Sequence, residues 1–248
     1  MCFKQAAGCL GAVVLISWAS HVSRAADDSF LQAELAARRF QMPPGFKLEV
    51  VATEPMLANP VAISIDEQGR IFAVETHRFN TGVVDITKHT NWIEADLSLR
   101  TVEDRAKFLL ENFGANRPVL TRDSERIRLL VDSDGDGRMD QATTFAEEFN
   151  GVTSGIGAGI FAQDGVAWGG VIPDLWRYEY KGSQRINATN VATGFGVHIG
   201  VTGHDLHGLI MGPDGRMYMS IGDRGFHITN REGKVLDYPH WCCFALRA

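Results

Sequence analysis

No stretch of the 248-residue chain reaches the roughly 18 consecutive apolar residues that argue for a membrane-spanning helix. Cysteine is scarce: there are 4, at Cys2, Cys9, Cys242 and Cys243, and no C-x-x-C-H haem-attachment motif occurs. Basic charge is not in excess either. With 24 Lys+Arg against 30 Asp+Glu the formal charge is −6, which speaks against a nucleic-acid binder, since such a protein carries a basic face. Proline is sparse, 8 residues against 26 glycines, a balance that favours many tight turns and a β-rich chain. At 45% apolar and 22% charged residues the composition is that of an ordinary globular chain, long enough to bury a full core.

Lys4 precedes an apolar run from Ala6 to Ala19, and Ser23-Arg24-Ala25 follows. A basic start, a short hydrophobic segment and small residues before the cut describe a secretory signal peptide over residues 1–25. Ala7-Gly8-Cys9 is not a lipoprotein site, because Cys9 comes before the hydrophobic run instead of after it. Cleavage after Ala25 removes Lys4, Arg24, Cys2 and Cys9, leaving a charge of −8 and two adjacent cysteines near the end. The expected location is therefore periplasmic or extracellular. The body of the exported protein would have no disulfide, so core burial or bound metal must stabilise it.

Residues 26–45 read as a lead-in segment, helical from Ser29 to Phe40 and stopped by Pro43-Pro44-Gly45. Short β-type runs follow at Phe46–Ala52, Val61–Ile65 and Arg70–Val74. A helix interrupts them. Thr101 caps it, Asp104 takes the third helical position, and Val102, Ala106, Leu109, Leu110 and Phe113 form one stripe. Gly114 ends it in the manner of a left-handed cap. The stretch of about 77–120 is thus an insertion, and strand patterns resume at Arg126–Val131.

An internal repeat carries most of the information about fold. Ile65-Asp66-Glu67-Gln68-Gly69-Arg70-Ile71-Phe72 aligns without gaps on Met211-Gly212-Pro213-Asp214-Gly215-Arg216-Met217-Tyr218, and more weakly on Phe161-Ala162-Gln163-Asp164-Gly165-Val166-Ala167-Trp168. In each copy a turn glycine is followed three positions on by an aromatic, as in a hairpin. The glycines are 96 and 50 residues apart, and removing the 44-residue insertion brings the first interval to 52. A hairpin recurring at this period suits the blade of a β-propeller. The expected fold is all-β: a partial β-propeller over 46–239, about three blades of a six-bladed ring, with a helical insertion in the first blade. Three blades leave two sheet faces uncovered, so the chain reads as a fragment. Residues 240–248 break the preceding composition and read as an atypical, frameshifted tail.

Two segments can carry chemistry. Asp132, Asp134, Asp136 and Asp140 stand at positions 1, 3, 5 and 9 of a loop with Gly137 at position 6, a spacing that can wrap hard oxygens around Ca2+. Position 12 is Thr143, so the bidentate glutamate of an EF-hand is missing, and an Asp/Gly-rich hairpin explains the loop equally well. The second segment is Gly203-His204-Asp205-Leu206-His207-Gly208, running into Gly212-Pro213-Asp214-Gly215 and Gly222-Asp223-Arg224-Gly225. A neutral imidazole can accept a hydroxyl proton, and Asp205 is the neighbouring carboxylate that could orient it. The alternatives are that His204 and His207 only bond strand ends, that His198 joins them on a transition metal, and that Asp223 and Arg224 form a turn pair. Trp92, Trp168 and Trp176 read as core.

A histidine eight residues ahead of G-P-D-G, followed by an aromatic strand and G-D-x-G, resembles the glucose/sorbosone dehydrogenases. That resemblance implies a six-bladed propeller using pyrroloquinoline quinone (PQQ), with His204 as the base that takes a proton from a sugar or alcohol hydroxyl. Met42-Pro43-Pro44-Gly45-Phe46, Glu54-Pro55, Asn59-Pro60 and the Thr101–Arg105 helix start are similar to exported, planctomycete-type membrane-bound dehydrogenase domain proteins. In such proteins the electron acceptor is often a haem-c domain, absent from this chain. The reading implied is the N-terminal part of a PQQ-type dehydrogenase, incomplete for catalysis. The alternatives are a non-catalytic, calcium-stabilised propeller binding glycan or protein, and a remnant without activity.

Overall fold

The computed structural model describes residues 28–229, 233–238 and 244–247. The expected signal peptide and the Cys242-Cys243 pair lie outside them. Strands dominate, and all pair antiparallel.

Residues 28–37 form helix α1, the expected lead-in. The first sheet has the order β1-β2-β3-β4, from β1 (Pro60–Ile65), β2 (Ile71–Glu75), β3 (Glu125–Val131) and β4 (Gln141–Phe149). The second is β5-β6-β7-β8, from β5 (Gly157–Gln163), β6 (Val166–Val171), β7 (Asp174–Lys181) and β8 (Gln184–Thr193). The third contains β9 (Leu206–Met211) and β10 (Met217–Ile221). A hairpin of β11 (Phe226–Thr229) and β12 (Val235–Tyr238) forms a separate two-stranded sheet packed on the core of the second and third, and β13 (Phe244–Arg247) pairs with the far side of β10. Within the tail read as atypical, residues 244–247 thus form a strand that extends the third sheet.

All three repeat copies are hairpins: β1–β2, β5–β6 and β9–β10. The first and third turn over the matching loops 66–70 and 212–216, while the middle one turns on Asp164 (φ 52°) and Gly165 (φ 76°), the two positive-φ residues of a tight hairpin. The recurring aromatic explains the stacking. Phe72 lies in a core shared by the first two sheets, with Ile127, Phe145, Ile160 and Tyr178. Trp168 packs on the core shared by the second and third, with Leu175, Leu206 and Met219. Tyr218, at the same position of the third hairpin, is only half-buried and bonds Asp214. Each of the first two sheets therefore turns its aromatic toward the next. Val61, Ile63 and Ile65, on the opposite face of β1, are 47%, 61% and 59% exposed, which is the uncovered face expected of an arc. Among the described residues the sheets do not close into a ring.

The insertion runs between β2 and β3 and contains α2 (Ile93–Ser98), α3 (Val102–Phe113) and α4 (Val119–Arg122). Thr101 and Asp104 form the expected reciprocal capping box. Gly114 departs from expectation: its φ of 49° is paired with ψ −120°, outside the left-handed helical region, and a 3-10 turn over Gly114–Asn116 follows. Leu109, Leu120 and Ile86 pack on Ile199, with Trp92 against the same cluster. The insertion thereby clamps the connection between β8 and β9. A second correction concerns Phe46–Ala52, which forms no strand. Phe46 and Leu48 are 70% and 43% exposed and Lys47 and Glu49 pair with each other in solvent, so neither face of this alternating run has a sheet to cover.

Candidate active site

His204 ends the β8–β9 connection, and Asp223 begins the turn after β10. Two glycines allow these segments to meet. A Cβ on Gly222 would fall 2.5 Å from the His204 Cβ, and one on Gly200 (φ 56°) would fall 2.8 Å from Asp223 Oδ1. The Gly222 N–H donates to the His204 carbonyl at 3.1 Å, extending the β9–β10 ladder. His204 Nδ1 then lies 3.1 Å from Asp223 Oδ1, and the Val201 N–H donates to both oxygens of Asp223 at 3.3 and 3.2 Å. The His204 side chain is 48% exposed against 16% for Asp223. When Nδ1–H donates to Asp223, Nε2 holds the lone pair. This is an imidazole whose orientation is held from behind and whose basic nitrogen is open.

The carboxylate that meets His204 is therefore Asp223, and the expectation for Asp205 needs correction. Asp205 is fully buried, accepts from the Ile156 N–H at 3.2 Å and the Gly203 N–H at 3.3 Å, and pairs with Arg224 Nε at 3.4 Å. The reason is the pleat: consecutive residues at the edge of a strand point to opposite faces. His204 faces out and Asp205 in, while Asp223 faces out and Arg224 in. Two crossed pairs result, His204–Asp223 at the surface and Asp205–Arg224 below. Gly155 makes room for the lower pair, since a Cβ there would fall 1.9 Å from Asp205 Oδ1.

Beneath Asp205 lies a buried polar cluster that the sequence reading missed. Arg105 is 3% exposed and donates to the carbonyls of Thr153 (2.6 Å) and His198 (3.5 Å). Burial, reinforced by the charge of Arg224, lowers its pKa to about 9. Asp96 accepts from the Ile199 N–H at 2.8 Å, and its carboxyl is pushed up, mainly by burial. His198 is buried, with Nδ1 donating to the Asp96 carbonyl at 2.8 Å. The only signal available in sequence was Arg105 itself, a charge between Val102 and Leu109 on the apolar side of a well-capped helix. The cavity beside Arg105 and Arg224 is about 10 Å3, room for roughly one water.

The histidines are not gathered on a metal. His207 Nδ1 is 3.4 Å from Ser220 Oγ, and among the described residues the one group placed to hold an ion is Asp132, Asp134 and Asp136, whose oxygens lie within 4.8 Å of one another. Asp140, the fourth expected ligand, stands apart from this group. Its carboxylate accepts from the Ser133 N–H (2.9 Å) and hydroxyl (2.5 Å). Asp132 accepts from the N–H groups of Gly135 (2.7 Å) and Gly137 (2.8 Å), with Gly137 at φ 90°. These bonds, the Gly137 one foremost, hold its carboxyl below the usual aspartate range.

The quinone implied by resemblance is a tricarboxylate and needs outward-facing cations. Arg224 and Arg105 are both buried and turned inward, so these two do not fit it. What the site presents to solvent is an imidazole and its carboxylate.

Among solved structures the chain is similar to a candidate oxidoreductase (glucose dehydrogenase) of Thermus thermophilus, at 13% identity and TM-score 0.37, over 83% of this chain and 51% of that one. It is also similar to a puromycin-hydrolyzing peptidase of Mycobacterium tuberculosis, at 15% identity and TM-score 0.34, over 77% of this chain and 23% of that one. The chain thus spans about half the length of the first and under a quarter of the second. No curated protein matches it. A family model matches over residues 32–240, most of the chain, and the protein belongs to that family, the domain of unknown function DUF7133.

Proposed function

We propose that this chain carries the proton-accepting part of a sugar or alcohol dehydrogenase, with His204 as the base and Asp223 as its positioning partner. The observation that carries this reading is the His204 Nδ1–Asp223 Oδ1 contact of 3.1 Å with the imidazole half-exposed. A base so held has its second nitrogen available to a substrate hydroxyl. PQQ, and a haem-c domain as electron acceptor, belong to this reading by resemblance alone. Residues other than Arg105 and Arg224 would have to hold the quinone. The same reading has the protein exported, with Ca2+ at Asp132, Asp134 and Asp136 bracing the first sheet.

The test is dye-linked oxidation of sugars and alcohols by the chain with added PQQ. His204→Ala should lower turnover by about 10²–10⁴-fold, the usual contribution of a general base. Asp223→Asn should lower it less and displace the pH–rate profile, while Asp205→Asn should act on stability. Turnover unchanged in His204→Ala would overturn the reading.

A further inference from the structure

The first strands of the three sheets, β1, β5 and β9, lie side by side with β5 in the middle, so the sheets fan out from one side. Both joints of the fan use the same two positions. One is the recurring aromatic. The other stands one residue before the aromatic's cross-strand partner, on the opposite face of the sheet. Phe72 pairs with Ser64, Trp168 with Phe161 and Tyr218 with Ile210, so the second position falls on Ile63, Ile160 and Leu209. At the first joint Phe72 shares a core with Ile160. At the second, Trp168 packs on the core that holds Leu209.

Two positions are left over. Ile63 is exposed on the first sheet together with Val61 and Ile65. Tyr218 is half-buried on the third sheet, and Ile210 beside it is 60% exposed. The open face of the first sheet is the receiving half of a joint, and that of the third is the aromatic half. Charge is matched in the same sense. Arg70 reaches from the first hairpin to the Gly182 carbonyl, in the β7–β8 turn of the next sheet, and stands 5.1 Å over Tyr180. Arg216 holds the place of Arg70 in the third hairpin, is exposed and forms no ion pair among the described residues. The turn corresponding to β7–β8 in the first sheet is β3–β4, which carries Asp132, Asp134 and Asp136.

We propose that two copies of this chain join at both ends, the Tyr218 face of each third sheet seated on the Ile63 face of its partner's first sheet. Each new joint continues the pattern of the two joints within the chain and sets Arg216 toward an acidic turn. A head-to-tail contact closes when the rotation per copy divides a full turn. Closed radial arrays hold roughly four to eight sheets. One copy has three, too few to close, while two copies supply six and three copies overshoot. The open faces share no residue with the His204–Asp223 pair, so the proposal is independent of the dehydrogenase reading.

Sedimentation velocity and light scattering of the chain across the micromolar range test this. A dimer is expected. Ile63→Lys and Ile210→Glu, both at exposed positions, should each weaken it by about 30-fold or more, as loss of a central contact does, with the circular dichroism spectrum unchanged. Mixing the two variants should restore a dimer, because one joint is then unaltered and the other sets Lys against Glu. A face-to-face pairing of like surfaces gives no such rescue. A folded chain that stays monomeric, a dimer indifferent to both substitutions, assemblies that grow with concentration beyond two copies, or no rescue on mixing would each overturn the proposal.

Discussion

Arg78 holds the helical insertion to the sheets, and replacing it should cost a large part of the stability. The residue is fully buried. Its Nη1 donates to the Asp123 carbonyl at 2.7 Å, and its Nη2 lies 3.0–3.2 Å from the carbonyls of Leu120, Gly151, Ser154 and Gly82. Two hydrogens shared among four oxygens cannot satisfy each fully, yet one guanidinium ties residues 82, 120–123 and 151–154 together. Its backbone N–H also donates to Glu125 at 2.8 Å. Burial lowers the Arg78 pKa, partly offset by Glu125 and Asp123. Arg78→Met keeps much of the volume and removes every side-chain donor. Breaking a buried, charge-assisted set of this kind costs about 3–5 kcal/mol, against a whole-domain stability of about 5–15 kcal/mol. At about 2–4 °C per kcal/mol for a domain of this size, the melting temperature should fall by roughly 6–20 °C. Arg78→Lys, with its charge and three donors, should recover part of the loss. Gly82 supplies an internal control, since a Cβ there would fall 2.9 Å from Arg78 Cζ. Gly82→Ala should therefore destabilise the parent and cost clearly less in the Arg78→Met background. Thermal and urea unfolding followed by circular dichroism measure all four chains of this cycle. A melting temperature for Arg78→Met within a degree or two of the parent would refute the reasoning, as would a Gly82→Ala cost that ignores residue 78.

Asp96 should make stability pH-dependent in a definite direction. Its folded pKa is raised above the ordinary aspartate value, so the folded state holds the proton more tightly and stability falls as pH rises from that value through the folded pKa. Asp96→Asn keeps the acceptor for the Ile199 N–H and should flatten that fall, and an unchanged pH profile of urea midpoints would count against it. If the Asp132 loop binds Ca2+, millimolar calcium should raise the melting temperature and a chelator should lower it. An extracellular-type affinity of about 10⁻⁴–10⁻³ M is expected. Asp134→Asn should abolish the calcium response, and a parent indifferent to both reagents would leave the loop as a plain turn.

Local patterns in this sequence decided a good deal. The Thr101–Asp104 capping box, the three Gly-aromatic hairpins and the insertion between β2 and β3 are set by short-range rules of capping, turn conformation and alternation, so they were legible without coordinates. His204 was legible as a candidate through its motif. What could not be read was anything that depends on which elements meet. Phe46–Ala52 alternates as a strand does, yet only a neighbouring sheet could have made it one. Asp205 follows His204 in sequence, but the pleat turns it inward, and the carboxylate that reaches the imidazole comes from 19 residues further on. Arg78 looks like a solvated charge in the sequence, and Arg105 shows only as a charge on the apolar side of a helix. They are buried because carbonyls from separate segments converge on each, which only tertiary packing can arrange. A groove beside Glu148 belongs to the same class: a bulge in one sheet and two aromatic side chains in the next meet only because the two sheets stack.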